Sequence, residues 1–302
     1  MLGLKSQIRL FADDALLYRE IKSNDDQRIL QEDLDTLCNW ADKWQMSFNI
    51  KKCKQLTITN KEVIPTGYIM KGTSLEIVSH HPYLGLDFTS DLSWNRHIDT
   101  ITKKGKSVLG VLRRNLTKGT PQHVRETAYT SMVRPHLEYN SSVWDPSQDY
   151  QVKKMEAIQN KAARFVTNRY GRYESVTEMK KELNWPSLQE RRFVARQSMI
   201  YKSIHHQTAF TMPSYVQQSE RSRHPHAFCI IRANIDIYRF SFLPRTIYGW
   251  NRIPSDTIKA ASLDTFKLML YKDISEGRII VKSPHTTVYS DSLWVSAINT
   301  TY

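Results

Sequence analysis

Polar and apolar positions alternate with a period of two near the start of the chain and change to a period close to four further on. Within residues 7–11, Ile8 and Leu10 fall on one face and Arg9 and Phe11 on the other, and residues 15–18 form a second apolar run. This pattern predicts a β-hairpin whose turn carries Asp13 and Asp14. A helix follows, opened by Ser23 with an acid three residues later. Leu30, Leu34, Leu37, Ala41 and Trp44 line one face of it, and Glu32, Asp33, Asp35, Asp42 and Lys43 line the other. Residues 48–58 become strand-like. Residues 68–70 and 75–78 read as a second hairpin turned by Gly72, and residues 83–88 as an apolar strand interrupted by Gly85. Such a glycine marks the close approach of another backbone, a bulge or a packing constraint.

From Trp94 the helical period takes over. Trp94, Ile98, Ile101, Gly105, Val108 and Leu112 trace one stripe, with Lys103, Lys104, Lys106, Arg113 and Arg114 outside it. Thr120-Pro121 is the expected cap of a second helix in this region, and Arg134-Pro135 its expected end. A third spans 150–167 with Val152, Met155, Ile158, Ala162 and Phe165 inward. A fourth opens at the capping box Ser187-Leu-Gln-Glu190 and carries Arg191, Arg192 and Arg196. Beyond residue 210 the pattern thins: a polar loop at 217–223, strand or extended chain at 238–247, a short helix at 263–271 and a loosely ordered Ser/Thr-rich tail.

Charge sharpens this picture. The 302 residues carry a net +13, divided as about −2 over residues 1–93, about +11 over 94–209 and about +4 over 210–302. Basicity concentrated in one helical region is the footprint of a phosphate-binding surface, although a solvated helical face rich in lysine would look the same. Tyr129, Tyr170 and Tyr173 could stack on bases, but their spacing suits core or rim positions equally. No apolar run is long enough to span a bilayer, and Lys5 and Arg9 interrupt any signal-like core, so an intracellular protein, nuclear or cytoplasmic and not secreted, is expected. The three cysteines lack metal-binding or disulfide spacing. His224, His226 and Cys229 have no fourth ligand at suitable spacing and make a weak zinc reading.

Two adjacent carboxylates at a hairpin turn can converge on one or two divalent cations, which is what phosphoryl transfer by two metals requires. Mg²⁺ suits such a site because it needs only one or two carboxylates beside water and phosphate. Asp is also favoured in turns for local hydrogen bonding, so the pair alone does not decide.

The sequence around the pair does more. Ile8-Arg-Leu-Phe-Ala-Asp-Asp-Ala-Leu-Leu-Tyr18 resembles the catalytic hairpin of reverse transcriptases from non-LTR, LINE-type, jockey-like retrotransposons. Leu30-Gln-Glu-Asp-Leu-Asp-Thr-Leu-Cys-Asn-Trp40 and Trp44-Gln-Met-Ser-Phe-Asn-Ile-Lys-Lys-Cys-Lys54 resemble the palm helix and the segment after it. Tyr83-Leu-Gly-Leu86 is similar to the primer-grip strand and Leu92-Ser-Trp-Asn-Arg-His-Ile98 to the start of the thumb. Val133-Arg-Pro-His-Leu-Glu-Tyr139, Val143-Trp-Asp-Pro146, Ala162-Ala-Arg-Phe165, Ser241-Phe-Leu-Pro-Arg-Thr-Ile247 and Trp250-Asn251 continue the resemblance in family order.

The resemblance implies an α+β fold: a partial polymerase palm, with an antiparallel sheet and supporting helix, over 1–93, a basic helical thumb over 94–210 and a partly irregular C-terminal region over 211–302. It implies that Asp13 and Asp14 hold Mg²⁺ in the intact enzyme, with Lys52 as the candidate proton donor to pyrophosphate, although three lysines together also suit a solvated edge. Tyr83, Leu84 and Gly85, with Lys103, Lys104, Lys106, Arg113 and Arg114, would contact nucleic acid. The partners implied are an RNA template, a DNA primer and deoxynucleoside triphosphates. The family's first catalytic Asp and fingers lie upstream of the Asp pair and do not fit before Ile8, so little or no catalysis is expected of these residues alone. The alternative is a non-catalytic nucleic-acid-binding remnant.

Overall fold

A computed structural model describes residues 3–59, 66–219 and 224–281. It divides into two compact units, one ending at Arg96 and the other beginning at His97. The tail and residues 220–223 of the expected polar loop lie outside the described residues.

In the first unit, β1 (Gln7–Phe11) and β2 (Asp14–Tyr18) pair antiparallel in a register running from Gln7↔Tyr18 to Phe11↔Asp14. Helix α1 (Asn24–Lys43) starts at the predicted capping box, with Ser23 and Asp26 each accepting from the other's backbone N–H. Leu37, Cys38 and Ala41 are buried on its inner face. Two expectations for this helix fail. Trp44 ends the helix and is 63% exposed, whereas Asp33 is buried and accepts hydrogen bonds from the backbone N–H groups of Lys5 and Ser6. A carboxylate that satisfies two otherwise orphaned amides can be buried where periodicity alone would place it outside.

The rest of this unit is built from short pairs. β3 (Lys54–Leu56) runs parallel to β6 (Glu76–Val78), and β4 (Ile69–Met70) pairs antiparallel with β5 (Thr73–Ser74). The hairpin at 68–78 therefore closes only over its first residues. After the bond from Leu75 N–H to Tyr68 O, the chain peels away to join β3. The Gln31 side-chain amide donates to Ile69 O and accepts from Ile69 N–H, tying α1 to β4. β7 (His80–Tyr83) and β8 (Leu86–Thr89) form a further antiparallel hairpin. In place of one antiparallel sheet, the described residues form four two-stranded sheets, one of them parallel.

The second unit is helical. Its first helix, α2 (Asn95–Asn115), buries Ile98, Ile101, Gly105, Leu109 and Leu112, close to the predicted stripe. Helix α3 (Gln122–Ala128) is preceded by Pro121, and Thr120 provides no side-chain cap. Pro135 does not end the helical run. A π-helical turn at Tyr129–Val133 leads directly into α4 (Arg134–Glu138), where proline sits in the first turn and needs no N–H partner. Helix α5 (Ser141–Trp144) and α6 (Asp149–Thr167) follow, the latter burying all five residues predicted to face inward.

Helices α7 (Val176–Glu182) and α8 (Leu188–Ile204) come next, α8 starting at the predicted Ser187–Glu190 capping box. Two of the arginines it carries, Arg192 and Arg196, are buried. The segment expected to be extended is instead α9 (Asp236–Arg239) and α10 (Phe242–Trp250). Pro244 in the first turn of α10 is compatible with a helix, and Ile247 and Trp250, three apart, are both buried. Helix α11 (Ser255–Ile258) and α12 (Leu263–Ser275) complete the unit. Phe193 and Tyr201 of α8 share one core with Phe228, Ile247, Trp250, Phe266 and Leu270, so the expected boundary at 210/211 lies inside a continuous hydrophobic cluster.

Candidate active site and nucleic-acid interface

The Asp pair sits at the end of a two-residue hairpin connection. Ala12 and Asp13 form the turn and Asp14 opens β2 opposite Phe11. Such short connections favour turns with positive φ, because their twist matches that of the strands. Ala12 adopts φ +50, a conformation normally left to glycine. Both carboxylates are exposed, and neither engages a hydrogen bond or ion pair among the described residues. Leu10 and Phe11 beside them are also exposed, at 63% and 62%.

The second hairpin, β7–β8, approaches the first electrostatically. His81 in β7 is pushed below its ordinary value mainly by burial and also by Lys54, while the charge of Asp14 acts in the opposite direction. His81 is thus within electrostatic reach of Asp14, a neighbour that sequence reading missed. Its only sequence signal was position, two residues before Tyr83. Tyr83, Leu84 and Gly85 do not form the interrupted strand expected of them. Leu84 at φ +48 and Gly85 at φ +78 are the two central residues of a tight hairpin turn, so the glycine answers a backbone requirement.

Lys52 is exposed in a turn whose N–H bonds to Asn49 O, and Lys51 is exposed beside it. Lys54 is instead paired with Glu76 at 2.5 Å across the β3–β6 ladder, which holds the glutamate's carboxyl below its ordinary range. Among the described residues no cluster of three or more His, Cys, Asp or Glu could hold a metal ion. His224 is buried, with Nε2 3.2 Å from Trp250 O. Asp13 and Asp14 do fit Mg²⁺ with the remaining positions taken by water and substrate oxygens, since both are free, exposed and adjacent.

On α2, Lys103, Lys104, Lys106, Arg113 and Arg114 are all exposed and make no ion pair among the described residues. At 100° per residue, Lys103, Lys106, Arg113 and Arg114 share an arc of about 100°, whereas Lys104 falls on the other flank of the helix. Arg113 lies 5.7 Å from the centre of the exposed Tyr170 ring, adding an aromatic surface to the basic one. Tyr129 is fully buried and stacks on Trp185. Tyr173 is exposed. Among the described residues no helix is long and apolar enough to cross a membrane.

Comparison with known proteins gives a consistent result. The chain is 28% identical over 191 residues to the probable RNA-directed DNA polymerase from transposon BS of Drosophila melanogaster, a match covering 62% of this chain and 21% of that protein. It is 24% identical over 166 residues to the probable RNA-directed DNA polymerase from transposon X-element of the same organism, covering 54% and 18%. It is 26% identical over 163 residues to the RNA-directed DNA polymerase from mobile element jockey of Drosophila funebris, covering 53% and 18%. The chain therefore spans about a fifth of the length of the curated relatives it matches. No family model and no solved structure matches.

Proposed function

We propose that this chain is a segment of a retrotransposon RNA-directed DNA polymerase, in which the β1–β2 hairpin presents Asp13 and Asp14 to catalytic metal and the α2 face grips nucleic acid. The observation that carries the reading is the turn itself: two adjacent, unpaired carboxylates at an exposed two-residue connection. It is supported by similarity to RNA-directed DNA polymerases of mobile elements.

In this reading Asp13 and Asp14 hold Mg²⁺ together with water and substrate oxygens. Bound there, the metal supplies charge neutralisation of the triphosphate and activation of the attacking oxygen. The chain's own residues position the reactants. The Tyr83-Leu84-Gly85 turn abuts the primer, and Lys52 stands as proton donor to the departing pyrophosphate. Lys103, Lys106, Arg113 and Arg114 neutralise backbone phosphates without reading sequence. The substrates are an RNA template, a DNA primer and deoxynucleoside triphosphates. Because positioning and electrostatics dominate phosphoryl transfer, loss of one metal-holding carboxylate is severe.

The test is primer extension on an RNA template by a polymerase that contains this segment. Asp13→Asn should reduce extension to background while duplex affinity stays within about twofold. Equal loss of extension and binding would contradict the assignment. A second reading is favoured by the basic α2 face, which lies in the other compact unit: the 302 residues alone bind duplex without extending it. Salt-sensitive binding with no extension by the isolated chain would support it.

A further inference from the structure

Helix α8 buries two of the three arginines near its start, and their surroundings are short of acceptors. Asp145, just after α5, is the shared counter-ion. Arg192 Nε donates to its Oδ1 at 2.6 Å, Arg196 ion-pairs with its Oδ2, and Arg245 of α10 lies 3.3 Å from Oδ2. Arg245 also donates to the backbone carbonyls of Asp145 and Pro146. All four side chains are at most 6% exposed.

The charge and hydrogen-bond accounts both fall short. Three guanidinium groups face one carboxylate, leaving an excess of positive charge in a buried site. Arg196 Nε and both Arg192 Nη atoms find no acceptor among the described residues. Glu156 and Glu138 act on Arg192 only at a distance. Burial pushes the Glu156 carboxyl up, which weakens its compensation further. Burial likewise lowers Arg192 to about 10, Arg245 to about 9 and Arg196 well below its usual value. A buried donor without an acceptor is costly, and a buried unpaired charge more so.

The cluster opens onto a cleft lined by Arg196, Arg245, Gln189, Arg252 and Tyr248 and also by Asp145, whose carboxylate is already engaged by the three buried arginines. Its accessible volume is about 30 Å³, room for about two waters, and therefore for one or two oxygens of an anion at its mouth and not for a base or sugar. Arg252 is exposed and lies 3.8 Å over the Tyr248 ring, which places a further guanidinium among the lining residues.

We propose that this cleft is a phosphate-binding site in which Arg196, with Arg245 and Arg252 lining the same cleft, receives one phosphoryl group. Guanidinium is suited to this because its planar donors match phosphate oxygens in pairs. The site lies within the second compact unit and stands independently of the polymerase reading of the Asp hairpin. The phosphoryl group can come from a nucleic-acid backbone or from free phosphate, which share this chemistry.

The experiment follows the Nε–Hε resonances of ¹⁵N-arginine in the full 302-residue chain at low salt. Inorganic phosphate and a short oligodeoxynucleotide without terminal phosphates are titrated separately. Phosphate should shift the Arg196 resonance with a dissociation constant on the order of 1 mM. Arg196→Met should weaken binding at least about tenfold, and Arg252→Gln severalfold. A shift of the same resonance by the oligonucleotide identifies a backbone phosphate as the source, and a response to inorganic phosphate alone identifies the free anion. Absence of any Arg196 shift up to about 20 mM phosphate would overturn the proposal. So would phosphate affinity unchanged in Arg196→Met or, should that variant fail to fold, in Arg252→Gln.

Discussion

Asp26 holds three residues at once at the start of α1. It pairs with Arg19 at 2.8 Å and accepts from the backbone N–H groups of Lys22 and Ser23, closing the capping box. These bonds, led by that from Arg19, hold its carboxyl down at about 2. Because the folded value lies below that of an unfolded Asp, near 4, the stabilisation is fully present above about pH 4 and is lost as pH falls towards 2. An NMR titration of Asp26 should therefore show a midpoint near 2, and one near 4 would show that the cap does not form in solution. Asp33 makes a simpler case. Asp33→Ala leaves the Lys5 and Ser6 amides without their acceptor and should cost about 1–3 kcal/mol in denaturant unfolding. At Gly249 the constraint is space, since a Cβ there would meet Gln197 Nε2 at 2.6 Å and the Phe193 ring at 2.8 Å. Gly249→Ala should destabilise by about 1–3 kcal/mol, and an unchanged melting temperature would contradict the close packing of α10 on α8.

At the scale of elements, what could be read from sequence was whatever depends on nearby residues. The caps at Ser23 and Ser187, the inward stripe of α6 and the Asp hairpin all follow from spacings of a few positions, and all are present. The failures have distant causes. Nothing near Arg192 and Arg196 in the sequence marks them as buried, because their counter-ion, Asp145, lies 47 positions before Arg192. The aromatic run near 240 suggested extended chain, but burying Ile247 and Trp250 on one side requires a helical turn between them. Gly85 suggested a strand approached by another backbone, yet the positive φ at Leu84 makes it half of a hairpin turn. Of the candidate site, the Asp pair and four of the five basic α2 positions were legible as groups, whereas His81 was not. Lys103→Gln with Lys106→Gln should lower the salt dependence of duplex binding by about two phosphate contacts. An unchanged slope would remove this arc of α2 from the interface.

For the whole molecule, the separation of acidic and basic chemistry follows the division into two compact units. Residues 1–93 carry a net charge of about −2 and hold the exposed carboxylates, and residues 94–209 carry about +11. The account rests most heavily on metal being held at the β1–β2 turn. Mn²⁺ tests this directly, because as a paramagnetic substitute for Mg²⁺ it broadens the amide resonances of residues near it. In the 302-residue chain broadening should centre on Phe11, Asp13 and Asp14 and disappear in Asp13→Asn, with α1 resonances unchanged. Broadening that ignores this turn, or that persists in Asp13→Asn, would contradict the assignment of the Asp pair to catalytic metal.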